Sequence, residues 1–277
     1  MTTSTVNDVV TIDAVSTSPR TRPRGQVTFR HLLRSEWTKF WSLRSTRWSL
    51  IGAALLMLSS IIVTAVGANS HPLPHNFNSI DKGVAGFHIA ELPMAVLGVL
   101  IVSGEYATGM IRSTFMAAPA RLPVLGAKLA VLMSVAFAAI LPFAFISFYG
   151  AQAVVHGKGL DHSILDHNAL RVVIGSAVAV MSLGALGTAF GALTRNTAAG
   201  ISGVVAVLFL LPVIASLLGS SVADSINQFL PANAIEAFAT NIPDKHMLSP
   251  WAGLAMFGGY VVVLLGIAAV RLRRRDV

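Results

Sequence analysis

Six stretches of about 20 residues that carry almost no charge decide what this chain can fold into. They run near Trp48 to Gly67, Val84 to Ser103, Leu125 to Ala151, Leu170 to Leu193, Ala198 to Leu218 and Trp251 to Val270. A hydrocarbon core about 30 Å thick is crossed by roughly 20 helical residues at 1.5 Å each. Inside it every backbone N–H and C=O must be paired within the structure, which helices achieve by themselves. The third stretch is overlong and contains Pro142, so it tilts, kinks or begins below the membrane. The expected fold is therefore an all-α integral membrane protein with six transmembrane helices over 48–270. Composition agrees: only 12% of the 277 residues are charged and 54% are hydrophobic, against about 25% charged in an ordinary soluble domain. A soluble enzyme is excluded.

The net charge of +8 would suggest nucleic acid in a soluble protein, but its placement reads as topology. With the N-terminus inside, 16 of the 20 Lys and Arg fall on the cytoplasmic side, and only Lys82, Lys158, Arg171 and Lys245 fall outside. That is the positive-inside pattern. Six spans return the C-terminus to the cytoplasm, where 271–277 forms a basic tail. No nucleic-acid partner is expected. Residues 1–26 are rich in Ser, Thr, Val and Arg without periodicity and close on Pro23 and Gly25. They are expected to be a disordered cytoplasmic tail, with no apolar core of a secretory signal. The chain has no cysteine, which removes disulfides, thiolate metal sites and cysteine nucleophiles together.

Over 27–47 an amphipathic helix is expected. Phe29, Leu33, Trp37 and Trp41 recur every fourth residue, with Leu32, Phe40 and Leu43 beside them, and Arg34, Thr38, Lys39 and Ser42 take the other side. A basic helix with two tryptophans suits the membrane interface and contact with lipid. Glu36 interrupts the apolar face. It either pairs with a nearby Arg or Lys or meets a partner protein.

The loop 104–123 between spans two and three reads as a short helix bounded by prolines. Met110, Ile111, Thr114 and Phe115 would line one side, flanked by Glu105 and Arg112, a surface suited to a groove on another protein. A plain solvated connector is the alternative. Gly104 and Gly109 have the spacing that opens a P-loop, yet Met110 and Ile111 stand where Lys and Ser or Thr would hold phosphate and magnesium. The chain is not expected to bind nucleotide itself.

Several segments, in order, carry a resemblance. They are Ser35-Glu36-Trp37-Thr38-Lys39 at the entry, Gly104-Glu105-Tyr106 with Thr108-Gly109-Met110-Ile111-Arg112 after span two, and Leu193-Thr194-Arg195-Asn196-Thr197 between spans four and five. Phe229-Leu230-Pro231-Ala232-Asn233 and the ending Arg273-Arg274-Arg275-Asp276 complete the set. Over about residues 30 to 277 the chain resembles the permease subunit of bacterial type-2 ATP-binding-cassette (ABC-2) transporters. The resemblance implies a multi-pass plasma-membrane subunit of an exporter, paired with a second copy or a sister permease and resting on two ATPase subunits. It implies that the loop after span two holds a coupling helix docked on the ATPase, with Glu105, Tyr106, Thr108, Met110, Ile111, Arg112 and Phe115 as candidates. ATP and Mg would be used by the partner, with no cofactor on this chain and no chemistry on the cargo.

Glu91 falls inside the second span, followed by Pro93. An intramembrane carboxylate is a functional hypothesis by default, so the two mark a possible substrate pathway. The alternative places Glu91 and His88 at the outer interface. Gly184, Gly187 and Gly191 make small-residue steps in span four, expected to serve close helix packing within the chain rather than a dimer seam. His71, His75, His88, His156, His162, His167 and His246 fall at or beyond the outer edge, and their spacing fits no zinc pattern. The outer segment 219–250 mixes apolar and polar residues and is expected to form short helices. Few intramembrane charges favour a hydrophobic or amphipathic cargo such as a drug, lipid or peptide. The rival functions are an ATPase-independent transporter or channel, and a membrane scaffold or sensor.

Overall fold

The computed structural model describes residues 28–70, 77–117, 121–166, 168–217, 225–241 and 247–274. The tail 1–26, His71, His75, His167, His246, residues 275–277, parts of 219–250 and the side chain of Phe115 lie outside the described residues.

The described residues hold helices and no strand, and six helical stretches are long and apolar enough to cross a membrane. After α1 (Phe29–Ser42), span one comprises α2 (Arg44–Met57) and α3 (Ser59–Asn69). Span two comprises α4 (Ser79–Val84) and α5 (Phe87–Ala107), and α6 (Met110–Ala117) follows it. Span three is α7 (Arg121–Val155) with a 3-10 turn at His156–Lys158, and span four is α8 (Ala169–Thr194). Span five runs through α9 (Thr197–Val205), a π turn (Ala206–Leu210) and α10 (Leu211–Ser216). A short α11 (Pro231–Ala239) precedes span six, α12 (Pro250–Arg274).

The interruptions have local causes. Span one breaks at Leu58, and the freed carbonyl of Met57 accepts from Ser60 Oγ at 2.8 Å and Ser147 Oγ at 2.7 Å, so that carbonyl is not left bare in hydrocarbon. In span five Pro212 has no N–H for the carbonyl four residues earlier, at Leu208, and the π turn absorbs the misfit.

At the centre stands α8, where 72% of the apolar window is buried against 22% in spans five and six. Its glycines lie directly on α5. A Cβ at Gly187 would strike the carbonyl of Ala95, one at Gly98 the carbonyl of Gly184, and one at Gly191 would sit 2.7 Å from the carbonyl of Val99. Here the backbones themselves touch, an approach only glycine permits. Both helices descend in the same direction.

Helix ends correct the sequence reading. Each of spans one to three continues a turn or more beyond its expected limits, span three reaching Arg121–Lys158, because a helix keeps its hydrogen bonds after leaving the apolar layer. The expected single helix over 27–47 is broken at Leu43, whose backbone is extended (φ −85°, ψ 123°), so α2 begins at Arg44. Nothing in the composition of that segment, which lacks Pro and Gly, signals the break.

Candidate functional site

Four helices meet at the end of the bundle where α1, the end of α5, α6 and the start of α7 converge. α1 turns Glu36 and Phe40 inward and leaves Trp37 and Trp41 exposed, edge to face with ring centres 5.9 Å apart. The aromatic face thus looks outward. Lys39, expected on the solvated side, reaches into the bundle instead.

Glu36 and Lys39 join Glu105 of α5 and Lys128 of α7 in a closed ring of alternating charge. Lys128 Nζ donates to Glu36 Oε2 at 2.7 Å and Glu105 Oε1 at 2.6 Å. Lys39 Nζ donates to Glu36 Oε1 at 2.8 Å, Glu105 Oε1 at 2.9 Å and Thr114 Oγ1 of α6 at 3.2 Å. Glu36, Glu105 and Lys128 are only 4–6% exposed. Charges so deeply buried are tolerated when paired and hydrogen-bonded, and two cations against two anions leave no net charge. Burial pulls the Lys39 ammonium down, but hydrogen bonds and attraction from Glu36 and Glu105 outweigh it and hold Lys39 above its ordinary value. One atom is left over: Glu105 Oε2 is buried without a hydrogen-bond partner. Beside the ring lies a cavity of about 180 Å³, lined also by Phe40, Leu43, Ile101, Met110 and Val131.

Below the ring, Gly109 at φ 72° makes the turn from α5 into α6, a left-handed conformation that glycine adopts without strain. Ile111 is buried, Thr114 is tied to Lys39, and Met110, Arg112 and Met116 are exposed. The expected coupling residues therefore divide. Glu105 and Ile111 face inward and brace the helix, Thr108 and Met110 line the mouth of the cavity, and Arg112 faces outward. Tyr106, half-buried, lies under the guanidinium of Arg195 at 5.5 Å.

Arg195 gives the segment between spans four and five a structural meaning. Thr194 ends α8, Arg195 takes the left-handed conformation (φ 53°), and Asn196 caps α9 by accepting from Ala199 N at 3.0 Å. Ser103 Oγ and Thr197 Oγ1 lie 2.9 Å apart, and Arg121 Nη1 donates to the carbonyl of Leu272 at 2.9 Å. These bonds bind the ends of α5, α7, α9 and α12 into one platform around α6.

Comparison with family models and with curated proteins finds no match to this chain.

The other candidates lie apart from this platform. Glu91 sits on α5 near the level of the middle of α8 and is partly exposed. One turn earlier His88 Nε2 lies 3.8 Å from Glu236 Oε1. Pro93 leaves the carbonyl of Ile89 without its helical donor. Gly184, Gly187 and Gly191 serve the α5–α8 contact. Two of the outer histidines are held locally: His156 Nδ1 lies 2.7 Å from Asp161 Oδ2, and His162 Nδ1 3.0 Å from Ser79 Oγ. Among the described residues no group of three His, Asp or Glu is set to hold a metal.

Sequence reasoning missed Lys128 as a site residue and counted it only as a cytoplasmic charge. A signal existed: Glu36 stands on an apolar face, and Lys128 is alone among Val124, Leu125, Ala127, Leu129 and Val131. Two misplaced charges of opposite sign on different helices are candidates for each other.

Proposed function

We propose that this chain is the permease subunit of an ATP-driven ABC-2 type exporter in a bacterial plasma membrane, pairing with a second copy or a sister permease. It moves a hydrophobic or amphipathic cargo, and a separate pair of ATPase subunits hydrolyses the ATP. One observation carries the reading. α6 is short, braced on one side by Ile111 and the Thr114–Lys39 bond, and open on the other through Arg112 and Met116. A partner pushing on that open side would move a helix already bonded to the entry helix, and through the ionic ring to spans two and three. A rigid displacement is thereby passed on through packed elements. In this reading the tryptophans of α1 lie in the interface and the basic ends face the cytoplasm.

The test is co-purification from the native membrane through a C-terminal tag. Glu105 is buried in the ring, so changing it would disturb the bundle itself, and the informative variant is Arg112→Ala with Met116→Ala. An ATPase retained by the intact chain and lost from this variant, with the variant still monodisperse, supports the proposal. An intact chain that purifies without ATPase, under conditions that hold known transporters together, overturns it in favour of an ATPase-independent transporter or a scaffold.

A further inference from the structure

We propose that the groove between α2 and α7 holds one anionic phospholipid, its phosphate on Arg47 and an acyl chain along the helices. The groove is about 400 Å³ and is separate from the ionic ring. That volume lies in the range of sites that enclose small molecules. Its depth comes from small side chains, Ala54 on α2 and Ala138 and Ala139 on α7. Ile51 and Leu55 stand exposed along it, so it opens to the outside of the bundle.

Its two ends differ in chemistry. Arg47 and Trp41 belong to the end where α1 passes into α2, and Leu55 lies eight residues further on, about 12 Å by helical rise. The groove therefore runs from a cation and an indole to purely apolar walls, the polarity of a phospholipid from headgroup to chain. The guanidinium of Arg47 is exposed and makes no ion pair among the described residues. Arg44, three residues earlier on the same helix and also exposed, raises the positive potential around it.

Charge decides the occupant. Lipid tails are as apolar as the walls, so the groove gains nothing from hydrophobicity alone, and its choice among lipids rests on the one charged group. An unpartnered guanidinium favours a phosphate without a compensating cation over the zwitterionic phosphocholine headgroup. A helix from a second copy would cover the walls and leave Arg47 unanswered. The lipid belongs to the cytoplasmic leaflet, a placement that rests on the orientation proposed above.

The experiment reconstitutes the full chain in nanodiscs of equal parts phosphatidylglycerol and phosphatidylcholine. The disc is then stripped with mild detergent, and retained lipid is counted by native mass spectrometry. The expected result is one phosphatidylglycerol per chain, enriched on the order of fivefold, which about 1 kcal/mol for one basic residue at an anionic surface corresponds to. Arg47→Gln abolishes the enrichment and Arg34→Gln keeps it. Ala138→Phe, filling the groove, releases the lipid although Arg47 remains, and if that variant fails to fold the Arg47 and Arg34 arms still decide. Equal retention of both lipids by the intact chain overturns the proposal, and so does equal loss in Arg47→Gln and Arg34→Gln. Since the chain has no cysteine, Ala139→Cys adds a direct check: a disulfide between two copies would make the groove a protein interface and overturn it too. Lipid retention and ATPase association are read separately, so either can fail while the other stands.

Discussion

Lys128 holds two buried carboxylates at once, which makes it the most consequential single side chain at the platform. Lys128→Met leaves Glu36 and Glu105 facing each other with only the half-buried Lys39 between them. Removing one partner of a buried pair costs about 3–5 kcal/mol, so thermal unfolding in detergent is expected to shift strongly downward. The double variant Glu105→Gln with Lys128→Met removes the stranded charge and is expected to recover part of the loss; no recovery would show that the pairing is not what stabilises this corner. Lys39 adds a pH dependence of known sign. Its folded value lies above the ordinary 10.5, so its stabilisation is fully present below about pH 10.5 and is lost as pH rises through the folded value. The difference in unfolding midpoint between the intact chain and Lys39→Met is expected to stay constant from pH 7 to 9 and to shrink only in strong alkali. Shrinkage near neutral pH would contradict the ring as described. Glu91 belongs to a different question, that of cargo. If it lines the path, Glu91→Gln impairs export in a vesicle assay while the assembled complex is recovered in normal amount, and unchanged export would remove it from the path.

The contact between α5 and α8 reverses an ordinary rule for helices. Alanine in a helix interior normally gains up to about 1 kcal/mol over glycine. At Gly187 the added methyl would meet the carbonyl of Ala95, whereas at Gly266 nothing lies within 4 Å. Gly187→Ala is expected to destabilise by about 1–3 kcal/mol, the range for overpacking, and Gly266→Ala to be neutral or slightly stabilising. Unfolding midpoints in one detergent check both, and a tolerated Gly187→Ala would mean that the helices are not in backbone contact. What was legible in the sequence follows from the same physics. Hydrocarbon demands long uncharged runs, and each of the six announced itself. The glycines of span four announced a close approach, and the short helix after span two was visible from its bounding prolines. The ionic ring was not visible as a unit, because Glu36 and Lys128 are 92 residues apart and periodicity reports only on neighbours three or four positions away. Its members were nevertheless exceptions to local pattern, and an exception of that kind requires a partner. The break at Leu43 left no trace, since the segment holds no residue that stops a helix.

For the whole molecule, solvent and orientation decide what the platform can do. Val262, Val263, Ile62 and Val66 are exposed by 60% or more on spans one and six. In water such faces would drive association, while in hydrocarbon they cost nothing. The orientation proposed from the charge pattern puts α6 and the ionic ring inside and the turn after span three outside. A chain without cysteine permits a clean test of this. Ser163→Cys, exposed between spans three and four, and Ser113→Cys, exposed on α6, are near-isosteric reporters at the two ends. In intact cells a membrane-impermeant maleimide is expected to label Ser163→Cys at once and Ser113→Cys only after the membrane is opened. The reverse pattern would put α6 outside, where no ATP-driven partner could reach it, and the exporter reading would fall with the positive-inside argument that supports it. Labelling of both in intact cells would mean that the number of crossings between them is even, which span three alone cannot provide. The predicted pattern sets Lys128 at one end of span three and the His156–Asp161 pair at the other. A displacement of α6 would then enter the membrane through the same helix that leads to the outer surface.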